Sequence, residues 1–488
     1  MRGRRSIGLV AAVAMLASCG DKDGNAGRPA STAGANSSGG AASGSGTGST
    51  AATGCALRAR QDWVLAAMKE WYLFPDTLPT SIDPSGYSDV DSFLDALTAT
   101  ARAQRKDRYF TYLTSYNQES AYYSSGATAG IGVRLAWDAS NRVFVTEAYE
   151  DAPALKAGID RGAQIVGVGT TSATIRAISD LLASRDYDAL DEAFYAADPG
   201  TVHVFRIVDE KGTREVSVTS DNYTLSPLSS RYGTKVIDDN GRKVGYVNLR
   251  TFIETADGQL RSAFGAFKAQ GVTQVIVDLR YNGGGLLSTA ETFTDLLGAD
   301  RSTSDVQAYQ TFRVSKSERN EVRRFAREMN AIAPTRIAFI GTDQTASASE
   351  YVINALIPYL HGNLALVGGN TYGKPVGQIA VDNPSCSNDR LRVIAFALQN
   401  AARQGDYYNG LATKVEASCQ AGDDYTHQLG DTNETSVRTA LDWLAGRGCT
   451  SIGASASAAR STGLLTPAQR PLLATKPTIA QRETPGLY

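Results

Sequence analysis

Histidine is scarce: His203, His361 and His427 are the three in 488 residues. A metal centre or proton relay built from several imidazoles has almost no material, and no metal ligand is expected. Neither sign of charge dominates, with 48 Lys+Arg against 50 Asp+Glu and a formal net charge of −2. A nucleic-acid binder ordinarily carries a basic excess, so no nucleic-acid partner is expected. Long apolar runs are missing too. The run Ile7 to Ala17 falls well short of the ~20 residues a membrane-spanning helix needs. Cysteine is sparse, five residues with no Cys-x-x-Cys spacing, which argues against a thiolate zinc site. What is present suits packed cores: 42% hydrophobic and 20% charged residues. At roughly 150 residues per domain the length suggests about three domains.

The N-terminus reads as an export signal. Arg2, Arg4 and Arg5 precede the short apolar run, which ends in Leu16-Ala17-Ser18-Cys19. This quartet resembles a bacterial lipobox, whose cysteine is acylated. The expectation is a signal peptide over 1–19, lipidation at Cys19, and a lipoprotein of the bacterial cell envelope facing the periplasm. Gly20 after the cysteine favours the outer membrane. Lipid would then be the membrane tether. Residues 20–54 are Gly, Ser, Ala and Thr with almost no large apolar side chain, the composition of a disordered linker. Residues 450–488 are rich in Ala, Ser, Thr and Pro and are expected to be a disordered tail.

Four cysteines lie beyond Cys19: Cys55, Cys386, Cys419 and Cys449. An even number in an exported chain suggests two disulfides, with three pairings open. The local choice is Cys386 with Cys419, leaving Cys55 with Cys449.

Between the linker and the tail the hydrophobic period changes twice. Over 55–113, Trp63, Ala66, Ala67 and Trp71 share a helical face, and Phe93, Leu94 and Leu97 begin another. This predicts a small N-terminal helical domain. Over 114–222, alternation at Ile131, Val133 and Leu135, and again at Val143 and Val145, predicts strands. Over 230–449, strands and helices alternate: Val244–Leu249, a helix Ala256–Gln270, the continuous apolar strand Val275–Leu279, and Arg336–Gly341. Ser315 to Ile332 reads as a charged helical insertion.

Two sets of motifs carry a resemblance. Gly130-Ile131-Gly132-Val133, followed by Pro153-Ala154-Leu155-Lys156-Ala157-Gly158-Ile159 and Gly162-Ala163-Gln164-Ile165, resembles a PDZ domain, with Ala163 where Asp is usual. Successive N–H groups of such a glycine loop receive a peptide's C-terminal carboxylate while the peptide adds as a strand. Downstream, Asp278-Leu279-Arg280-x-Asn282-x-Gly284-Gly285, Thr345-Ala346-Ser347-Ala348-Ser349-Glu350 and Thr371-Tyr372-Gly373-Lys374-x-x-x-Gln378 follow in order. Together they resemble the C-terminal processing, or tail-specific, proteases: the S41 serine peptidases with a PDZ domain. The resemblance implies a multidomain α/β fold, with a helical N-terminal domain, a PDZ-like β domain and a crotonase/ClpP-like α/β catalytic core over 230–449. No cofactor is implied.

The residues make chemical sense on their own. A serine hydroxyl needs a base to become a nucleophile, and Ser347 sits where a strand gives way to a helix, whose free N–H groups favour negative charge. Oxyanion donors are expected from Ala348 and Gly284. Lys374 is the base, provided that burial lowers its pKa, and Gln378 would orient its amine. Ser349 is the rival serine, read as a helix-start polar group. Glu350 is read as a helix N-terminal charge partner, and Asp278 and Arg280 as pins of the glycine loop. A Ser-His-Asp triad competes poorly, because no histidine falls in a motif. The partners implied are proteins or peptides with accessible C-termini. The reading is an exported serine endopeptidase. Its rivals are a catalytically inactive peptide-binding scaffold on the same fold and a crotonase-like acyl-CoA enzyme.

Overall fold

The computed structural model describes residues 55–138, 140–183, 194, 198–453, 470–471 and 477–488. The readings at 1–54, the signal peptide, Cys19 and the linker, lie outside them. Among the described residues no helix is long and apolar enough to cross a membrane.

The structural centre is a six-stranded sheet. Its strands lie in the order Thr234–Asp239, Arg242–Asn248, Gln274–Asp278, Arg336–Gly341, Leu364–Gly368 and Ala417–Gln420. The first pair is antiparallel and the rest are parallel. Parallel strands are buried on both faces, which is why their sequences run apolar without interruption. Val275 and Val277 face one layer with Phe339 and Leu366, against Phe264, Phe293, Ile353 and Leu356 of the helices Glu254–Ala269, Leu287–Leu296 and Ala348–Leu360. Ile276 and Ile340 face the other layer, against Val437, Leu441 and Trp443 of the helix Thr435–Leu444.

A second, antiparallel sheet flanks this core. It contains Tyr112–Ser115, Asp389–Gln399, Val306–Phe312, Glu321–Arg324 and, paired with Asp389–Gln399, Val376–Asp382. The helices Leu57–Trp71 and Val90–Ala103 pack Val64, Met68, Phe93 and Leu97 onto its Val376, Leu391, Val393 and Ile394. Residues 114–222 supply a third sheet, in which Val133–Trp137, Val143–Ala148, Gln164–Gly169, Val202–Asp209 and Gly212–Thr219 are neighbours in that order.

Three expectations need correction. Ser315–Ile332 is not helical: a 3-10 turn, Val314–Arg319, leads into the hairpin strand Glu321–Arg324. Its charges find tertiary partners, Arg323 with Glu291 and Asp295 and Glu328 with Arg261, in place of partners one helical turn away. The thiols pair as Cys55–Cys386 and Cys419–Cys449. The Arg60–Asp389 ion pair holds the first helix beside the Cys386 loop, and Gln420 N–H donates to Thr450 O beside the sheet edge. The C-terminal end is not a disordered tail over its last dozen residues. Thr478 caps the short helix Ile479–Glu483, and Ile479, Ala480, Glu483, Thr484, Leu487 and Tyr488 are buried.

Candidate active site

Three loops meet at the C-terminal ends of neighbouring parallel strands. Gln274–Asp278 runs into Gly283–Gly285, Arg336–Gly341 into Thr345–Glu350, and Leu364–Gly368 into Thr371–Lys374. Such strand ends are where open α/β sheets present their sites.

Ser347 caps the helix Ala348–Leu360 with φ 54° and ψ −113°, a conformation that L-residues rarely adopt. It is partly exposed between buried Ala346 and Ala348. A Cβ at Gly284 would come within 2.8 Å of the Ser347 Cβ, so only glycine leaves room for the turn. Ser349 is fully buried and donates to Asn282 O at 3.1 Å. It anchors the helix start and is not available to a substrate.

Glu350 is also fully buried. Its Oε2 accepts from Ser347 N–H at 3.1 Å and Lys374 N–H at 2.7 Å. Its Oε1 accepts from Gly373 N–H at 2.7 Å and Thr371 Oγ1 at 2.6 Å. One carboxylate therefore ties two of the three loops together. Burial pushes its pKa up, against these hydrogen bonds. The sequence marks Glu350 as a helix-start charge but contains no signal of its reach to residues 371–374, which are distant along the chain.

Lys374 Nζ donates to Gln378 Oε1 at 3.2 Å and lies 5.3 Å from the Phe110 ring centroid. Gln378 Nε2 donates to Phe110 O, which turns its oxygen toward the lysine. A register shift between Gly377 and Gln378 re-aims that side chain. Desolvation lowers the Lys374 pKa from its ordinary value, opposed by the carboxylates of Glu483 and Asp107. The lysine lines a cavity of about 890 Å³ with Gly283, Ala346, Tyr372, Arg482 and Glu483.

Of the expected oxyanion pair, Gly284 lies in the turn against Ser347. Gly284 N–H is occupied by Asn282 Oδ1 at 2.9 Å. Gly283, which borders the cavity, also has its N–H engaged, donating to Glu483 O at 2.8 Å. Ala348, first in its helix, keeps one of the N–H groups that a helix start leaves without an intrahelical partner.

Asp278 and Arg280 hold the loop from beneath. Arg280 is clamped by Asp278 and by both oxygens of Glu434, at 2.9 and 2.8 Å. Burial alone would raise the Glu434 carboxyl, but the Arg280 charge outweighs it and holds the pKa down to about 2. The histidines stay away from the cavity: His361 pairs with Glu416, His427 with Asp424, and His203 stacks on Phe205.

The Gly130-Ile131-Gly132-Val133 loop opens the strand Val133–Trp137, with Gly132 at φ 75°. A Cβ at Gly132 would strike that of Ala152 at 2.0 Å. Buried Arg134, next along the strand, donates to Tyr281 O at 2.9 Å, so this strand borders the glycine turn of the core.

Residues 243–404 match the peptidase family S41, and residues 59–112 match the peptidase S41 N-terminal domain. The carboxy-terminal processing protease CtpA of Bacillus subtilis (strain 168) is 24% identical over 367 residues, 73% of this chain and 72% of that protein. The chloroplastic C-terminal processing peptidase of Tetradesmus obliquus is 26% identical over 53% of this chain and 54% of its own length. The chloroplastic carboxyl-terminal-processing peptidase 3 of Arabidopsis thaliana is 28% identical over 51% and 46%. The chain thus spans about half the length of these last two. A solved S41 protease structure from Bacteroides fragilis NCTC 9343 shares the fold with a TM-score of 0.64 at 22% identity, covering 79% of this chain and 97% of that one. Residues 59–112 and 243–404 thus carry, in that order, a peptidase S41 N-terminal domain and a peptidase family S41 domain, the domains of a serine-type peptidase.

Proposed function

We propose that the chain is an exported, lipid-anchored endopeptidase that cleaves envelope proteins in C-terminal processing by a Ser347/Lys374 dyad. Neutral Lys374 takes the Ser347 hydroxyl proton as the oxygen attacks the scissile carbonyl. Gly283 and Ala348 N–H groups meet the oxyanion. The lysine ammonium then passes its proton to the leaving amine, and water repeats the sequence on the acyl-enzyme. The core would be of the crotonase/ClpP-like type. Residues 114–222 would act as a PDZ-like recognition unit, and Cys19 would carry the lipid that holds the protein at the periplasmic face, in the outer membrane.

The observation that carries the dyad is the Glu350 carboxylate, which accepts from the backbone of both Ser347 and Lys374. The lysine that it positions is desolvated and held by Gln378. The names of the relatives support C-terminal processing as the reaction class. The test is hydrolysis of casein by the chain lacking residues 1–19, beside Ser347→Ala and Lys374→Arg. Guanidinium stays protonated, so both variants should lose nearly all turnover. Substantial cleavage by Lys374→Arg sinks the dyad. No cleavage by any form, with peptide binding intact, favours the inactive scaffold. Retained membrane fractionation and processed size in Cys19→Ala sinks the anchor.

A further inference from the structure

The C-terminal segment 477–488 is bound in the manner of a ligand. After the helix Ile479–Glu483 the chain turns at Gly486, φ 87°. It then lies antiparallel along the edge of Val133–Trp137: Leu135 N–H donates to Gly486 O at 2.8 Å, and Tyr488 N–H to Val133 O at 2.8 Å. Gly132 and Val133 N–H both donate to Tyr488 O, at 2.7 and 3.1 Å. Successive amides of the glycine loop thus receive the Tyr488 main-chain oxygen in the way such a loop receives a bound peptide's last oxygen. The Tyr488 side chain is 3% exposed and packs among Ile131, Val133, Phe194 and Phe205. Buried Arg134 adds a hydrogen bond to Pro485 O at 2.6 Å.

The same segment reaches the cleft. Glu483 O accepts from Gly283 N–H, the donor that borders the cavity, and Arg482 and Glu483 line that cavity with Lys374. Gly283 is glycine for this reason too: a Cβ there would lie 2.7 Å from Arg482 O. Tyr123 OH holds Glu483 Oε1 at 2.8 Å, and Arg482 stacks over Tyr112. Both ends of the segment are fixed, one in the carboxylate loop and one across the Gly283 donor.

We propose that residues 477–488 are a resident intramolecular ligand, and that the Gly130–Val133 groove selects protein C-termini ending in an apolar residue followed by a large aromatic one, which must displace this segment to reach the cleft. The proposal rests on the PDZ-like reading of residues 114–222. A tethered ligand competes at an effective concentration in the millimolar range, so the intact chain should bind an outside C-terminus at least about tenfold more weakly than a chain freed of the segment.

The test titrates a fluorescent Glu-Thr-Pro-Gly-Leu-Tyr peptide, free acid and C-terminal amide, onto Ser347→Ala chains that cannot cleave it. Three forms are compared: the full chain, a shortened chain ending at Lys476, and the full chain extended by Gly-Ser after Tyr488. The extension keeps every side chain but places two further residues at the Tyr488 oxygen that the loop receives, so the comparison survives a folding defect in the shortened form. Expected are free-acid binding at least about tenfold tighter to the extended and shortened chains than to the full chain, a marked loss for the amide, and weak binding of a peptide ending in Asp. Equal affinity for the full and extended chains overturns the resident-ligand claim, and equal affinity for acid and amide overturns the carboxylate loop. Casein hydrolysis by Ser347-bearing forms separates the two readings. If extension leaves peptide affinity and casein rate unchanged while Ser347→Ala abolishes cleavage, this inference fails and the dyad stands. If extension raises peptide affinity and no form cleaves casein, the dyad fails and the resident ligand stands.

Discussion

The loops carrying Ser347 and Lys374 and the 114–222 sheet are held to the core by different means. The loops around Ser347 and Lys374 meet on one neutral-backbone staple: four donors, three of them main-chain N–H groups, converge on the buried Glu350 carboxylate. The sheet joins the core through buried arginines. Arg250 reaches Glu147 and Glu150, Arg161 reaches Asp423 and Tyr281, and Arg134 reaches Tyr281 and Tyr149. Backbone donors fixed by sheet and helix cannot move far, so the loops are geometrically rigid. Long guanidinium side chains at a polar seam depend on every partner staying in place, because an orphaned buried charge is costly. The lesson is that the Ser347 and Lys374 loops sit on a preorganised element, while the 114–222 sheet sits on a seam of buried charges that depend on one another.

The comparison can be broken most severely at Glu350. Glu350→Ala leaves Ser347, Gly373 and Lys374 N–H groups without their acceptor, and small displacements of reacting groups cost about 10²-fold or more. Steady-state assays should show kcat falling by about that factor, with binding of a C-terminal peptide unchanged. A parallel loss of peptide binding would show that the two regions are not held independently.

Beneath the glycine turn, Glu434→Ala removes one carboxylate partner of buried Arg280 while Asp278 and Asp423 remain, so it should destabilise the fold by less than the roughly 3–5 kcal/mol that a fully stranded buried charge costs. Denaturant unfolding measures it. The sign with pH follows from the depressed carboxyl. Its contribution is full above the ordinary glutamate range and is lost as pH falls toward the folded value of about 2. Glu434→Gln should therefore flatten the acid limb of the stability profile.

A smaller effect separates the two thiol pairs. Cys55–Cys386 closes 331 residues and Cys419–Cys449 closes 30. Loop-closure entropy grows with length, so removing the first should cost more, each within about 2–5 kcal/mol. Thermal unfolding of Cys55→Ser and Cys419→Ser gives the order.

The smallest effect sharpens the link between the two regions. The Glu483 carboxylate raises the Lys374 pKa against the desolvation that lowers it. Glu483→Gln should let the lysine lose its proton at lower pH, moving the rising limb of the kcat profile to lower pH. A shift to higher pH would show that Glu483 acts there by excluding water.

Legibility in the sequence followed the range of the interaction. Val275–Leu279 and Arg336–Gly341 were readable as strands because burial on both faces demands unbroken apolar residues. Ser347, Lys374 and Gln378 were readable as candidates because their loops carry local motifs. Ser315–Ile332 was misread because its charge spacing fits a helix equally well, and Arg323 chose partners on another element. The thiols were misread because nearness along the chain does not measure nearness in space, and the end of the tail because its composition hides four well-buried residues, Ile479, Ala480, Leu487 and Tyr488.

By itself, the sequence determined which segments are strands and helices of the core and which chemical groups the site holds, since both follow from side chains within a few residues of one another. Only the tertiary structure decided that Glu350 bridges Ser347 to Lys374, that Gly283 N–H meets Glu483 O, and that Tyr488 fills the glycine loop. Each depends on a hydrogen bond between residues whose approach is set by sheet order and packing, and a backbone donor carries no mark in the sequence of the acceptor it will find.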